Sequence, residues 1–252
     1  MRSTLALLAL GIGVYLAVCL VRFPASVAYR WFAPDELALA VIDGTVWNGS
    51  AVHGGMAGLP LANIQWQLRP LALLTGRVDA TAQADFADGF ASADVDAARN
   101  RMSLSNVTAS TNLQTFAQLL PVGGIRGQIS LQLDQIEFVD GWPVAATGEA
   151  RIANLAVPPA MPIAGVTLVP LGNFAARFVP SSEPGITSVL NDQGGPLELS
   201  GRLDLMPDRR FLIDTLVRTR PEATRELVQG IEFATESPNA SGQRRFRLDG
   251  SL

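Results

Sequence analysis

Few residues in this chain have the types and spacing that chemistry needs. Asp79, Asp85, Asp94 and Asp96 recur at short intervals, and carboxylates so placed could gather a calcium ion. They alternate with Ala80, Ala82, Ala84, Ala93, Val95 and Ala97, however, and the calcium-loop spacing of an EF-hand is absent. A period of two puts the alanines on one face of a strand and the aspartates in water on the other. The single histidine, His53 in AVHGG, has no cysteine or carboxylate partners beside it for a zinc site, and its glycine neighbours place it on a turn. The single cysteine, Cys19, lies inside an apolar run and reads as a lipid-facing or helix-packing thiol. A serine hydrolase would need a base and a nucleophile elbow, and Gly127-Gln128-Ile129-Ser130 does not fit that motif. The expectation is a non-enzyme with no catalytic, cofactor-binding or metal-binding residues.

The elements that position these residues begin with Thr4 to Val21, eighteen residues without a charge between Arg2 and Arg22. About 20 apolar residues at about 1.5 Å rise cross a bilayer, so residues 4–21 are read as a transmembrane anchor. The run exceeds the apolar region of a cleaved signal peptide, and Ser26-Val27-Ala28 is a poor cleavage site. Val18 before Cys19 is likewise a poor fit to a lipoprotein signal. Residues 1–3 form a cytoplasmic head, and 22–252 are exported into the periplasm of a bacterial envelope, because long domains translocate largely regardless of charge. Tyr29, Trp31 and Phe32 suit the membrane interface just beyond.

The chain has 252 residues, a formal net charge of -4 and no lysine, all 19 of its basic residues being arginine. No basic face stands out for nucleic acid. The exported part has no cysteine, so its stability comes from packing and not from disulfides. Alternating runs dominate it. Leu37 to Ile42 and Thr45 to Trp47 read as strands, with Asp43-Gly44 and Asn48-Gly49 as turns. Ile64 to Leu68, the hairpin 78–97 around Asp88-Gly89, Met102 to Val107, Ile129 to Leu133, Val144 to Ile152, Phe174 to Phe178, Ile186 to Leu190, Leu197 to Leu205, Phe211 to Arg218 and Arg245 to Leu252 follow. Two short helices are expected. One covers Asn112 to Leu120, capped by Thr111 or Asn112 and stopped by Pro121; the other covers Glu222 to Gln229 after Pro221. The proline-rich LAVPPAMPIAG, residues 155–165, cannot join a central sheet and suggests halves at 35–153 and 166–252. The expected fold is all-β: one N-terminal transmembrane helix, then a long curved antiparallel β-meander with one or two short helices.

In order along the chain stand Phe23-Pro24 after the apolar run, GTVWNG at Gly44 to Gly49, W-x-L-x-P at Trp66 to Pro70, and GPLELSGRLDL at Gly195 to Leu205. With the anchor, these resemble the N component of the bacterial type II (general) secretion system over essentially the whole chain. The resemblance implies an inner-membrane protein with a periplasmic domain, an accessory scaffold bridging the inner-membrane platform and the outer-membrane secretin for export of folded proteins. It carries no catalytic residues. In that picture Trp47 and Trp66 are core anchors of the sheet, the alternative being a docking role. Partners would bind by adding a strand to a sheet edge or through the proline-rich loop. A second function of another class is an anchored β-groove for lipid handling or envelope transport. Its mark in a structure is a continuous apolar groove left uncovered on one sheet face.

Overall fold

The computed structural model describes residues 2–32, 37–56, 59–86, 88–116, 123–159, 167–181 and 185–251, without the side chains at positions 2–9, 16, 17, 32 and 56. Helix α1 (Arg2–Val21) leads into a short helix α2 (Ala25–Phe32). Thirteen strands follow: β1 (Leu37–Gly44), β2 (Asn48–Met56), β3 (Leu59–Leu68), β4 (Val78–Phe86), β5 (Gly89–Ala98), β6 (Arg101–Asn112), β7 (Arg126–Val139), β8 (Trp142–Val157), β9 (Val169–Val179), β10 (Ile186–Asp192), β11 (Leu197–Leu205), β12 (Arg210–Thr219) and β13 (Arg244–Ser251). Helix α3 (Pro70–Leu73) sits between β3 and β4, and α4 (Arg225–Ala234) between β12 and β13. The strands form one sheet in the order β1 to β13, every neighbour pair antiparallel. The all-β antiparallel meander expected from the alternation is what the chain forms. Among the described residues no helix is long and apolar enough to cross a membrane.

Among the described residues the sheet is a single layer. Most domains bury a sheet's apolar face under a second layer; here α2, α4 and the 3-10 turn Leu113–Phe116 touch it only locally. Twelve hydrophobic residues are fully buried among the described ones, too few for a core the size of this chain. The accessible surface is 16051 Å², against about 10,700 Å² for a compact monomer of 26.7 kDa. Among the described residues the buried core cluster, Val169, Leu197, Val217 and Leu227, lies where α4 rests on β9, β11 and β12. Thr224 caps α4 by accepting the Leu227 backbone N–H at 3.3 Å, and Glu226 sits in its first turn.

One face stays apolar across strands that are long enough to drift, and irregular residues keep it so. Val41, Asn63, Asn106 and Asn154 lie inside strands with φ between 48° and 56°. Each turns a two-residue alternation into a three-residue step, Leu39 to Ile42, Leu61 to Ile64, Leu104 to Val107 and Ile152 to Leu155, so the apolar residue after it returns to the same face. Pairing slips by one residue beside Asn63, Asn106 and Asn154. The left-handed conformation strains most L-residues and suits asparagine best among non-glycines, which explains three of the four choices.

Several expectations are corrected. Asn48-Gly49 is no turn: β2 starts at Asn48, and Thr45 to Trp47, expected as strand, make the connection. His53 lies within β2, exposed and paired with Ala40 and Ala62, and not on a turn. Thr111 and Asn112 end β6, and Leu113–Phe116 is a 3-10 turn where an α-helix was expected; Ala117 to Pro121 lie outside the described residues. The C-terminal helix starts at Arg225, three residues after the expected Glu222, because Thr224 is its cap. Leu155 to Val157, expected in a loop, complete β8, which pairs directly with β9.

Replacing Asn106 with valine is expected to cost about 1–3 kcal/mol, since a β-branched residue at φ 52° is strained and the side-chain bond is lost. Asn106→Gly is expected to cost under about 1 kcal/mol. Urea midpoints of the two variants check the order; equal midpoints would show that the bulge is not a conformational constraint.

Candidate functional site

The four aspartates share the polar face of β4 and β5, and each has a partner. Asp79 pairs with Arg69 at 2.9 Å and Asp96 with Arg77. Asp85 accepts from the Asn63 amide at 2.9 Å. Asp94 accepts from Thr81 Oγ1 at 2.7 Å and from the Asn106 amide at 2.9 Å. Those two bonds, Asn106 first, hold the Asp94 carboxyl below the usual carboxylate range. The bulge asparagines therefore also tie neighbouring strands together. Among the described residues no group of three His, Cys, Asp or Glu side chains is arranged to hold a metal. Cys19 is exposed on α1.

The sequence motifs converge at the root of the sheet. Gly44 has φ 87°, and a Cβ there would lie 2.5 Å from the Asn48 carbonyl oxygen, so only glycine closes this connection. The Val46 N–H donates to Phe23 O at 3.0 Å, and Thr45 bridges Pro24. Trp47 Nε1 donates to the Leu20 carbonyl of α1 at 2.8 Å. Trp66 Nε1 donates to Val46 O at 3.1 Å, and its ring covers Gly49, where a Cβ would lie 2.4 Å from the indole. Phe23-Pro24, GTVWNG and Trp66 are thus one lock joining the exit of α1 to the sheet. Trp66 is the half-buried sheet anchor expected of it, whereas Trp47 fastens the helix. Beside the lock, Ala25, Tyr29, Leu39, Ile64, Trp66 and Val78 line an apolar cavity of about 530 Å³.

A second lock closes the far end. Arg220 donates to Asp192 Oδ2 and to Gly195 O, both at 2.6 Å, and Asp192 also accepts the Leu199 and Gly194 N–H groups. Partial burial pushes the Asp192 carboxyl up, but Arg220 and the two N–H groups outweigh it and hold it below its ordinary 3.8.

The two edges of the sheet differ. On β1 the outward backbone groups at Leu37 and Leu39 are taken by one hydroxyl: Tyr29 Oη donates to Leu37 O at 2.9 Å and accepts the Leu39 N–H at 3.0 Å. On β13 the Glu236 N–H occupies Arg245 O at 3.1 Å. Outward and inward residues alternate in an antiparallel ladder, so Arg247 and Asp249 also direct their backbone groups away from β12. The sequence held no signal for this asymmetry beyond the aromatic character of Tyr29.

An open all-β layer with two unlike edges, the β4 and β5 aspartates held in surface pairs and a helix locked to its root, defines a class of protein that offers extended surfaces. The family model described as type II secretion system (T2SS), protein N, matches residues 35–247, from just before β1 into β13. The chain belongs to that family. It is 24% identical over 259 residues, covering 100% of both chains, to the type II secretion system protein N of Aeromonas hydrophila. It is 26% identical over 248 residues, 95% of each chain, to that of Vibrio cholerae serotype O1. No solved structure matches it. The chain is therefore a type II secretion system component.

Asp192→Asn is expected to lower Tm at pH 7 by about 2–4 °C. A carboxyl whose folded pKa is depressed stabilises above the unfolded value and loses that contribution as pH falls through the folded one. The deficit should therefore persist down to the ordinary 3.8 and shrink below it. Melting curves of both proteins across this range test it; a deficit independent of pH would contradict the ion pair's role.

Proposed function

We propose that the chain is an anchored accessory scaffold of the type II secretion system. Residues 4–21, within α1, span the inner membrane, residues 1–3 lie in the cytoplasm and residues 22–252 in the periplasm. The uncharged apolar sequence from Thr4 to Val21 supports the span, and the lock from Trp47 to Leu20 supports a sheet held close to the membrane surface. The domain binds other machine components, bridging inner-membrane and secretin parts, and its chemistry is binding without catalysis.

The observation that carries this reading is the unlike pair of edges. The Tyr29 hydroxyl blocks strand addition at β1, next to α1, as natural sheets do where pairing is unwanted. At β13 the backbone of Arg247 and Asp249 is directed outward, and a partner strand adding there would place its side chains beside Arg247 and Asp249. An edge proline removes an outward N–H without touching the ladder to β12.

Asp249→Pro in the full chain is expected to keep the melting temperature within a few degrees while reducing co-purification of platform and secretin components at least tenfold. It should also reduce secretion of a reporter exoprotein in a deletion strain. His53→Ala should leave secretion unchanged, because exposed positions away from special contacts tolerate substitution. Undiminished co-purification by the proline variant would remove β13 as the interface. A folded His53→Ala chain without secretion would replace the scaffold reading with a chemical site.

A further inference from the structure

Alternation and register assign one face of the whole sheet to apolar side chains. Leu39 on β1, Trp66 on β3, Val95 on β5, Leu131 on β7, Phe178 on β9 and Leu203 on β11 mark it, and all six are half-buried where a second layer would bury them fully. The threonine hydroxyls on this face are bonded within the chain, whereas the buried Ser188 hydroxyl has no partner among the described residues. Thr215 Oγ1 donates to Phe246 O at 3.4 Å, and Thr111 and Thr115 share a bond at 3.2 Å. Ser188 is fully buried. An occupant would meet hydrocarbon along most of the face, interrupted at Asp192, which pairs with Phe174 and is held by Arg220.

We propose that this face is a track for phospholipid acyl chains. Neighbouring strands are rotated by roughly 20–25°, so the face turns through about 240–300° over its twelve inter-strand steps. A helix bends only with a radius of about 60–100 Å and cannot follow such a surface. A flexible hydrocarbon chain can. A second copy laid face to face is obstructed, because α2 and α4 stand on this same side near opposite edges, α2 beside Leu39 and Trp66, α4 on Leu197 and Val217. The source of the chains is the bilayer. The track opens at the cavity between α2 and β1, β3 and β4, directly after the exit of α1, with Ala25 and Tyr29 on one wall and Ile64 and Trp66 on the other. This last step rests on the reading of α1 as the membrane anchor.

The test uses the full chain in bacterial cells labelled with 32P-phosphate. A photo-activated benzoylphenylalanine replaces Ala93 or Leu131 on the apolar face, or Gln83 or Gln132 on the polar face as controls. After irradiation and denaturing purification, label on the chain at Ala93 and Leu131 is expected to exceed that at Gln83 and Gln132 at least fivefold. Equal label on both faces, or none, overturns the proposal. So does a crosslinked band at twice the chain's mass or with another protein, which would make the face a protein interface. Native mass spectrometry of the unsubstituted chain in mild detergent keeps the test independent of folding of the substituted chains, and bound phospholipid masses are the supporting result. Carbonate extraction of the same cells separates the two readings. A chain that is extracted yet labelled retains the track and removes the anchor; a chain that stays in the membrane fraction unlabelled removes the track.

Discussion

Every strand of this protein pairs with the strand next to it in sequence, and that ladder of local backbone hydrogen bonds carries the structure. Most β domains gain their stability when a second layer closes over the apolar face. Here only twelve hydrophobic residues are fully buried among the described ones, and the sheet must hold largely by its ladder and by half-buried side chains along one face. Such an architecture is quasi one-dimensional: each hairpin depends on its neighbours and little on distant strands. Its weak points are its two ends, where a strand has one neighbour only. Both ends carry a lock, Trp47 and Trp66 at the root and Arg220 with Asp192 near the other end.

The ladder creates a problem that the bulges solve. Strands of 12 to 16 residues such as β6 and β8 twist as they extend. A period-two pattern over that length ties the twist to the alternation. A left-handed residue in mid-strand releases one residue from the pattern, increases the local twist and restores the apolar face. The released asparagine is then free to reach sideways, as Asn63 does to Asp85 and Asn106 to Asp94. One residue type thereby sets backbone geometry and cross-strand bonding together, and the acidic residues that look like a cation site are the acceptors.

The hairpin from Val78 to Ala97 was legible because its residues keep the period, Phe90 opposite Asp85 excepted, although Gly89, expected in the turn, already pairs with Phe86. The pair of β11 and β12 was legible from the alternation of β11 and the Pro207-Asp208 turn between them. Legibility failed where a residue type has two uses. Asn48-Gly49 has a turn's composition, but Gly49 is glycine because Trp66 lies on it, and the real turn is closed by Gly44. Leu113 and Phe116 have helical spacing, yet a single 3-10 turn suffices to bring Phe116 edge-on to Phe86. The signal for the bulges was present, apolar residues three apart with asparagine just before the second, at Leu61 to Ile64, Leu104 to Val107 and Ile152 to Leu155. It is invisible to a search for strict alternation. The candidate site fared worse, because edges and faces are properties of pairing, and no local run of residues states which edge a tyrosine will block.

Direction follows from these constraints. A strand can be added to a sheet only at an edge, and one edge is closed by Tyr29 beside α1. Strand addition is therefore open only at β13, the edge away from the helix. Twelve steps of about 4.8 Å separate the closed edge from β13, about 58 Å along the hydrogen-bonding direction. A globule of the same mass would reach less far and would expose neither backbone edge nor apolar face. The single layer, costly in buried surface, is what allows one chain of this length to set a blocked root against a distant pairing edge, with a continuous apolar path between them.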